Sequence, residues 1–242
     1  MKINKFRAIA NKRIERPKSL VQVNATSNEI YLYDEIGFFG ITATDFISAL
    51  NDTDPNQRLT VRINSPGGDI TDGVAIMNNL AERDVDVQID GFAASIASVI
   101  AMAGDSVRMA ENATFMIHNP WTIVAGDAAV LRKEAATLDL FKATLVSSYQ
   151  RHTDLSPDEI SNLMDAETWM TAAQALEKGF ITEIGSQGNA QAQLNNFDLS
   201  IFRNAPERFR TKKEERPTNS GAGGSDDLRR YFFKLRHQQN LL

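Results

Sequence analysis

Four short stretches of the chain hold groups suited to acyl transfer. The first is INSPGGDITDG, residues 63–73, where Ser-Pro-Gly-Gly stands between a strand pattern and a helix pattern. Paired glycines let backbone approach a ligand closely, and amides at a helix start face negative charge. The Gly68 amide is thus a candidate oxyanion donor, and a tight strand-to-helix turn is the plainer reading. The second is Ser95 in GFAASIASVIAMAGD, residues 91–105, at the point where a strand pattern gives way to a helix pattern. Its small neighbours Ala93 and Ala94 leave room for a substrate carbonyl, and the Ile96 amide could face the same oxygen as the Gly68 amide; a serine there also suits an N-cap. The third is His118 in FMIHNP, the only one of three histidines that ends an apolar strand pattern. It is either a structural histidine or a general base with a pKa near neutrality. The fourth is MDAETWMTAAQALEKGF, residues 164–180, in which Asp165 and Glu167 precede a helix. Either carboxylate could favour the helix N-terminus, or accept the Nδ1 hydrogen of His118 and fix its tautomer.

The elements that must hold these groups alternate between strand and helix over about residues 28–185. NEIYLYDEI, RLTVRIN and DVDVQID carry a period of two, and ATFMIHN reads as a buried strand. DGVAIMNNLAER and ASVIAMAG read as helices. A long helix is predicted over 127–151, with an apolar stripe of Leu131, Ala135, Leu138, Phe141, Leu145 and Tyr149. Two short helices follow, with capping boxes Ser156/Glu159 and Thr171/Gln174; Pro157 takes the first helical position of one and Gly179 closes the other. The class is α/β.

At 242 residues, 42% of them hydrophobic, the chain can bury one substantial core. The absence of cysteine excludes disulfides, thiolate metal sites and a cysteine nucleophile, and three histidines speak against a His-rich metal site. There is no signal-like apolar run after the basic N-terminus and no uncharged apolar span of 18 residues, so a soluble, intracellular protein is expected. Charge is uneven: residues 1–18 carry net +6, residues 203–242 net +5, and the body between them net −16. The basic ends read as solvated tails, or as arms that dock on acidic surfaces, either neighbouring subunits or nucleic acid; of these nucleic acid is the less expected partner, and no membrane partner is expected. A basic N-terminal segment (1–24), one domain (25–186) and a loose, basic C-terminal extension (187–242) are expected, because the sequence beyond 186 turns polar and rich in Gly, Ser and Asn.

Taken in order and at these separations, INSPGG, GFAASIAS, MIHNP and ETWMTAAQALEKGF resemble the Clp protease proteolytic subunit (ClpP) family of serine peptidases, over about residues 28–185. The form MIHNPW…GDAAVLRKEA…MDAETWMTA is most similar to its phage-encoded branch, the ClpP-like head maturation proteases. The resemblance implies Ser95 as nucleophile, His118 as base and the backbone amides of Gly68 and Ile96 as oxyanion hole. The family's aspartate position falls on Glu167, a departure from the pattern that leaves Asp165 as the alternative acid. The implied fold is a ClpP/crotonase-like spiral of ββα units with a long protruding helix.

The resemblance further implies a serine endopeptidase without cofactor or metal, assembled as a homo-oligomeric ring, heptameric or in stacked rings. Polypeptides are the expected substrates and capsid or scaffold proteins the expected partners. The expected setting is prohead maturation in the bacterial host cytoplasm or the assembling phage head. The competing readings are a cellular ClpP subunit degrading proteins with a Clp ATPase, a crotonase-type acyl-CoA enzyme, and a catalytically inactive capsid assembly factor. No Walker-type GxxxxGK[ST] occurs, so any ATP use would belong to a partner.

Overall fold

In the computed structural model, residues 21–186, 199 and 201–207 are described, all within one compact unit, Ser19–Thr211. Its spine is a ten-residue strand, β4 (Val85–Ala94). On one side β4 pairs in parallel with β3 (Leu59–Ser65), which pairs in parallel with β2 (Glu29–Leu32); β1 (Gln22–Asn24) adds antiparallel to β2. On the other side β4 serves two partners in succession. Asp86–Ile89 pair with β5 (Ser106–Ala110), whereas Phe92–Ala94 pair with β6 (Thr114–Ile117), both in parallel. Strand β7 (Thr168–Thr171) runs antiparallel to β6, and β8 (Glu183–Gly185) runs parallel to β5. The mixed α/β class is as expected.

Six helices occur among the described residues: α1 (Ala43–Leu50), α2 (Ile70–Leu80), α3 (Ile96–Ala101), α4 (Ala128–Tyr149), α5 (Pro157–Asp165) and α6 (Ala172–Glu177). Both predicted capping boxes form, Pro157 opens α5, and Gly179, at φ 77°, follows the end of α6. Asp127 caps α4 through the amides of Ala129 and Val130. The predicted stripe along α4 is buried only towards its end, at Leu145 and Tyr149, while Leu131 is 46% exposed. An amphipathic pattern marks a face that some surface covers, and within one chain only the last turns of α4 reach the body. The short strands β1, β5, β7 and β8 escape the period-two reading because three or four residues hold too little alternation to register, and SVRMA in β5 only slightly more.

The chain beyond 186 departs from the loose extension expected of it, wherever it is described. Leu199, Phe202 and Ala205 are each at most 4% exposed and pack on Phe92, Ala94 and Met116. Strand alternation gives the reason. Ala93, Phe115 and Ile117 face the main core, so their neighbours Phe92, Ala94 and Met116 face the other way and need a second cover. The basic N-terminal residues 1–20 and those from 208 onwards lie outside the described residues.

Two packing features fix the end of β4. Helix α3 is buried at all six positions, and α2 lies against it so closely that a Cβ on Gly73 would stand 2.1 Å from Ile96 Cγ1. At the sheet surface Arg62 donates to both Asp90 oxygens, at 2.9 and 2.5 Å, and the Tyr33 hydroxyl donates to the same carboxylate at 2.5 Å, tying β3 and β4 to the chain that follows β2. Asp90 is buried, so these donors offset its desolvation. Gly73→Val should therefore destabilise the fold by about 1–3 kcal/mol through overpacking against α3, read as a lower urea midpoint. An unchanged midpoint would mean that α2 and α3 can part at no cost.

Candidate active site

Strand β4 ends at Ala94 and α3 begins at Ile96, so one residue makes the whole turn. That residue, Ser95, has φ 55° and ψ −131°, a left-handed backbone conformation costing a non-glycine residue roughly 1–3 kcal/mol. Its amide donates to the Met116 carbonyl at 3.0 Å, and its carbonyl accepts from the Ser98 amide at 3.0 Å and the Ser98 hydroxyl at 2.6 Å. The Ser98 hydroxyl also shares a hydrogen bond of 2.8 Å with the buried Tyr149 hydroxyl. The Ser95 side chain makes no capping bond to the helix it precedes. Its Oγ lies instead 2.7 Å from His118 Nε2.

The sheet register explains that meeting. Ala94 pairs with Met116, so Ser95 and His118 both stand just past the C-terminal ends of neighbouring parallel strands. In the antiparallel pair β6/β7, Ile117 faces Thr168, and one step further along the ladder sets Glu167 opposite His118. Glu167 itself has φ 48°. Burial pushes the His118 pKa down to about 4, and the Glu167 charge pulls it the other way.

The two candidate acids are employed differently. Asp165 accepts from Asn119 Nδ2 at 2.7 Å and Lys142 Nζ at 2.5 Å, pairings that hold its carboxyl below the usual carboxylate range. Glu167 accepts the Trp169 indole N–H at 3.1 Å and the Asn204 amide at 2.6 Å on Oε1, and the Arg203 amide at 2.8 Å on Oε2. Neither carboxylate is hydrogen-bonded to His118, and of the two only Glu167 bears on its charge.

The Ser-Pro-Gly-Gly turn lies against the same junction. Gly67 and Gly68 have φ 89° and 147°, and a Cβ on Gly67 would stand 2.6 Å from the Ala94 carbonyl oxygen and 2.7 Å from Ser95 Cβ. Only glycine admits that approach. Ile96 opens α3, so its amide is one of the first-turn donors that have no carbonyl within the helix. The sequence reading brought together Gly68, Ser95, Ile96, His118 and Glu167, and missed two neighbours. One is the loop after β2, where Ile36 bonds to Gly67 and Asp69, at 2.8 and 2.9 Å, and holds the glycine turn in place. The other is the segment around Phe202, whose ring meets the His118 ring edge-on at 5.3 Å. The apolar DLSIF within a polar stretch was the available signal for it.

A model of the Clp protease family, described as "Clp protease", matches residues 14–188. The chain is 32% identical over 139 residues to the ATP-dependent Clp protease proteolytic subunit 3 of Streptomyces coelicolor, covering 56% of this chain and 64% of that relative. It is 29% identical over 178 residues to the ATP-dependent Clp protease proteolytic subunit of Bacteroides fragilis, covering 67% and 86% of the two. It is 31% identical over 178 residues to the proteolytic subunit 2 of Nocardia farcinica, covering 67% and 88%. Among the described residues no helix is long and apolar enough to cross a membrane.

The electrostatics give a direct test. Glu167→Gln removes the charge that raises the His118 pKa, so the imidazole should titrate at still lower pH by NMR, while Asp165→Asn should leave it in place. A downward shift with Asp165→Asn alone would transfer the role to Asp165.

Proposed function

We propose that this chain, which belongs to the Clp protease family and is a serine endopeptidase, has Ser95, His118 and Glu167 as its catalytic groups, with the Gly68 and Ile96 amides as oxyanion hole. The observation that carries this reading is the 2.7 Å contact between Ser95 Oγ and His118 Nε2, made from a strained backbone position by a hydroxyl that caps nothing.

Ser95 Oγ attacks the scissile carbonyl carbon as His118 Nε2 takes its proton. The developing oxyanion receives the Gly68 and Ile96 N–H groups, donors typically worth about 10²–10³ each in rate. His118 then returns the proton to the departing amine, leaving an acyl-enzyme. Water, deprotonated by the same imidazole, releases the acid and restores Ser95. Glu167 stabilises the imidazolium formed in each half-reaction, and a glutamate serves this role in other triads. A crotonase-type reaction fits less well, because it gives the Ser95–His118 pair no task.

For the setting, we propose processing of capsid or scaffold proteins in a phage prohead, on the support of the sequence form around His118 and Asp165. The second reading is a cellular subunit working with a Clp ATPase, favoured by relatives that are named ATP-dependent. Either role implies assembly with further copies of the chain. The exposed apolar side chains Val130, Leu131 and Leu140 of α4 support this, since a partner surface would remove them from water. An inactive assembly factor would need neither the aligned Ser95–His118 pair nor the strain at Ser95.

Labelling with a fluorophosphonate probe tests the core of the reading. The wild type should label, Ser95→Ala should not, and both should show the same assembly state. Equal labelling of the two would remove Ser95 from the mechanism. Products formed from neighbouring capsid-gene proteins without an ATPase would favour the phage setting, and strict dependence on a Clp ATPase the cellular one.

A further inference from the structure

Every group in the mechanism above lies between Gly68 and Glu167, yet residues 202–204, far downstream, converge on two of the three triad members. The Arg203 and Asn204 amides each bond a different oxygen of Glu167. The Asn204 side chain donates to the Ala166 carbonyl at 2.9 Å and so grips the residue before Glu167 as well. Phe202 lies edge-on to His118, and at 5.6 Å edge-on to Trp169, whose indole holds Glu167 from the other side.

We propose that this segment is the positioning wall of the catalytic site: Phe202 holds the His118 ring, the Arg203 and Asn204 amides hold the Glu167 carboxylate, and the chain beyond the protease core thereby completes the triad. The inference rests on the Ser95–His118–Glu167 reading. A carboxylate offers about four lone-pair positions, and the three N–H donors fill three of them, leaving one for the Nδ1 hydrogen of the imidazolium. Fixing the acid in advance removes the reorganisation it would otherwise undergo as charge develops on His118. The same contacts hold Glu167 in its left-handed conformation, which costs roughly 1–3 kcal/mol.

Burial distinguishes a wall from a removable plug. Leu199, Phe202 and Ala205 cover Phe92, Ala94 and Met116, all fully buried, and lifting them would bare apolar surface at roughly 25 cal/mol per Å². Phe202 also shields His118 from water. The charged group that acts on that imidazole is Glu167, before β7; Arg203 follows Phe202 on the segment, and the Asp165–Lys142 pair is bonded to Asn119, the residue after His118.

The full-length wild type, Phe202→Ala, Phe202→Leu and Asn204→Asp distinguish the outcomes, by peptide-cleavage kinetics, Ser95 labelling rate and NMR titration of His118. Loss of the wall should lower kcat and labelling in Phe202→Ala by roughly 10–100-fold, the range expected when a catalytic group is displaced by about an ångström, with KM within about twofold. Hydration should raise the His118 midpoint from about 4 towards its ordinary 6.5, and the acid limb of kcat/KM should move with it. Phe202→Leu should restore most of the rate and the low midpoint. Asn204 is exposed, so Asn204→Asp, which places a second carboxylate beside Glu167, keeps the question answerable if Phe202→Ala does not fold; it too should slow kcat and raise the midpoint. Rates and midpoints equal to wild type, or a faster Phe202→Ala, would overturn the wall. A wild type that shows no Ser95-dependent labelling would sink the protease reading instead, and the wall's catalytic role with it.

Discussion

The site depends on a single geometric demand: β4 must stop at Ala94 and α3 must start at Ile96. With one residue for the change of direction, Ser95 is driven to a positive φ that suits glycine better than serine. The surroundings determine that conformation several times over. The Met116 carbonyl takes the Ser95 amide, Ser98 takes its carbonyl twice, and Gly67 presses on its Cβ side. The strain is held in place by these contacts together with the burial of α3 and the packing of α2 upon it. The hydroxyl is thereby aimed away from the helix end, and the register of β4 with β6 leaves His118 to receive it.

The electrostatic character of the site follows from the same packing. Burial keeps the His118 imidazole neutral well into acid, and the Glu167 charge acts against that. Two carboxylates two residues apart serve different ends because their donors differ. Asp165 is joined to Lys142 of α4 and to Asn119, close to the surface, whereas Glu167 is held by neutral N–H groups.

Much of this was legible in the sequence. Period-two runs gave β3 and the first half of β4, and capping chemistry gave the start of α5 and both ends of α6 to within a residue. The ordered motifs singled out Gly68, Ser95, Ile96, His118 and Glu167, and the fold sets Ser95 Oγ 2.7 Å from His118 Nε2. Glu167 could be placed by register with the family pattern, but what holds it could not, since its amide donors lie 36 and 37 residues downstream in a stretch that composition marks as polar. Composition averages over a window, and three apolar side chains, Leu199, Phe202 and Ala205, are enough to dock a short segment when the strands beneath are apolar on both faces. GFAA and TFMI show that double-sided pattern, but a one-dimensional pattern does not say what covers the second face. The stripe on α4 likewise announced an apolar face without saying that only its last turns meet the body of the chain.

The hydroxyl chain from Tyr149 through Ser98 to the Ser95 carbonyl has a mechanical meaning. Helix α4 is embedded by its final turns alone, and the Lys142–Asp165 bond is its brace further out. It is a lever whose long arm lies outside the body and whose fulcrum is Tyr149. Tyr149 stands at that fulcrum, two hydrogen bonds from the backbone of Ser95. The outer helix and the turn at Ser95 are thus joined through one buried side chain.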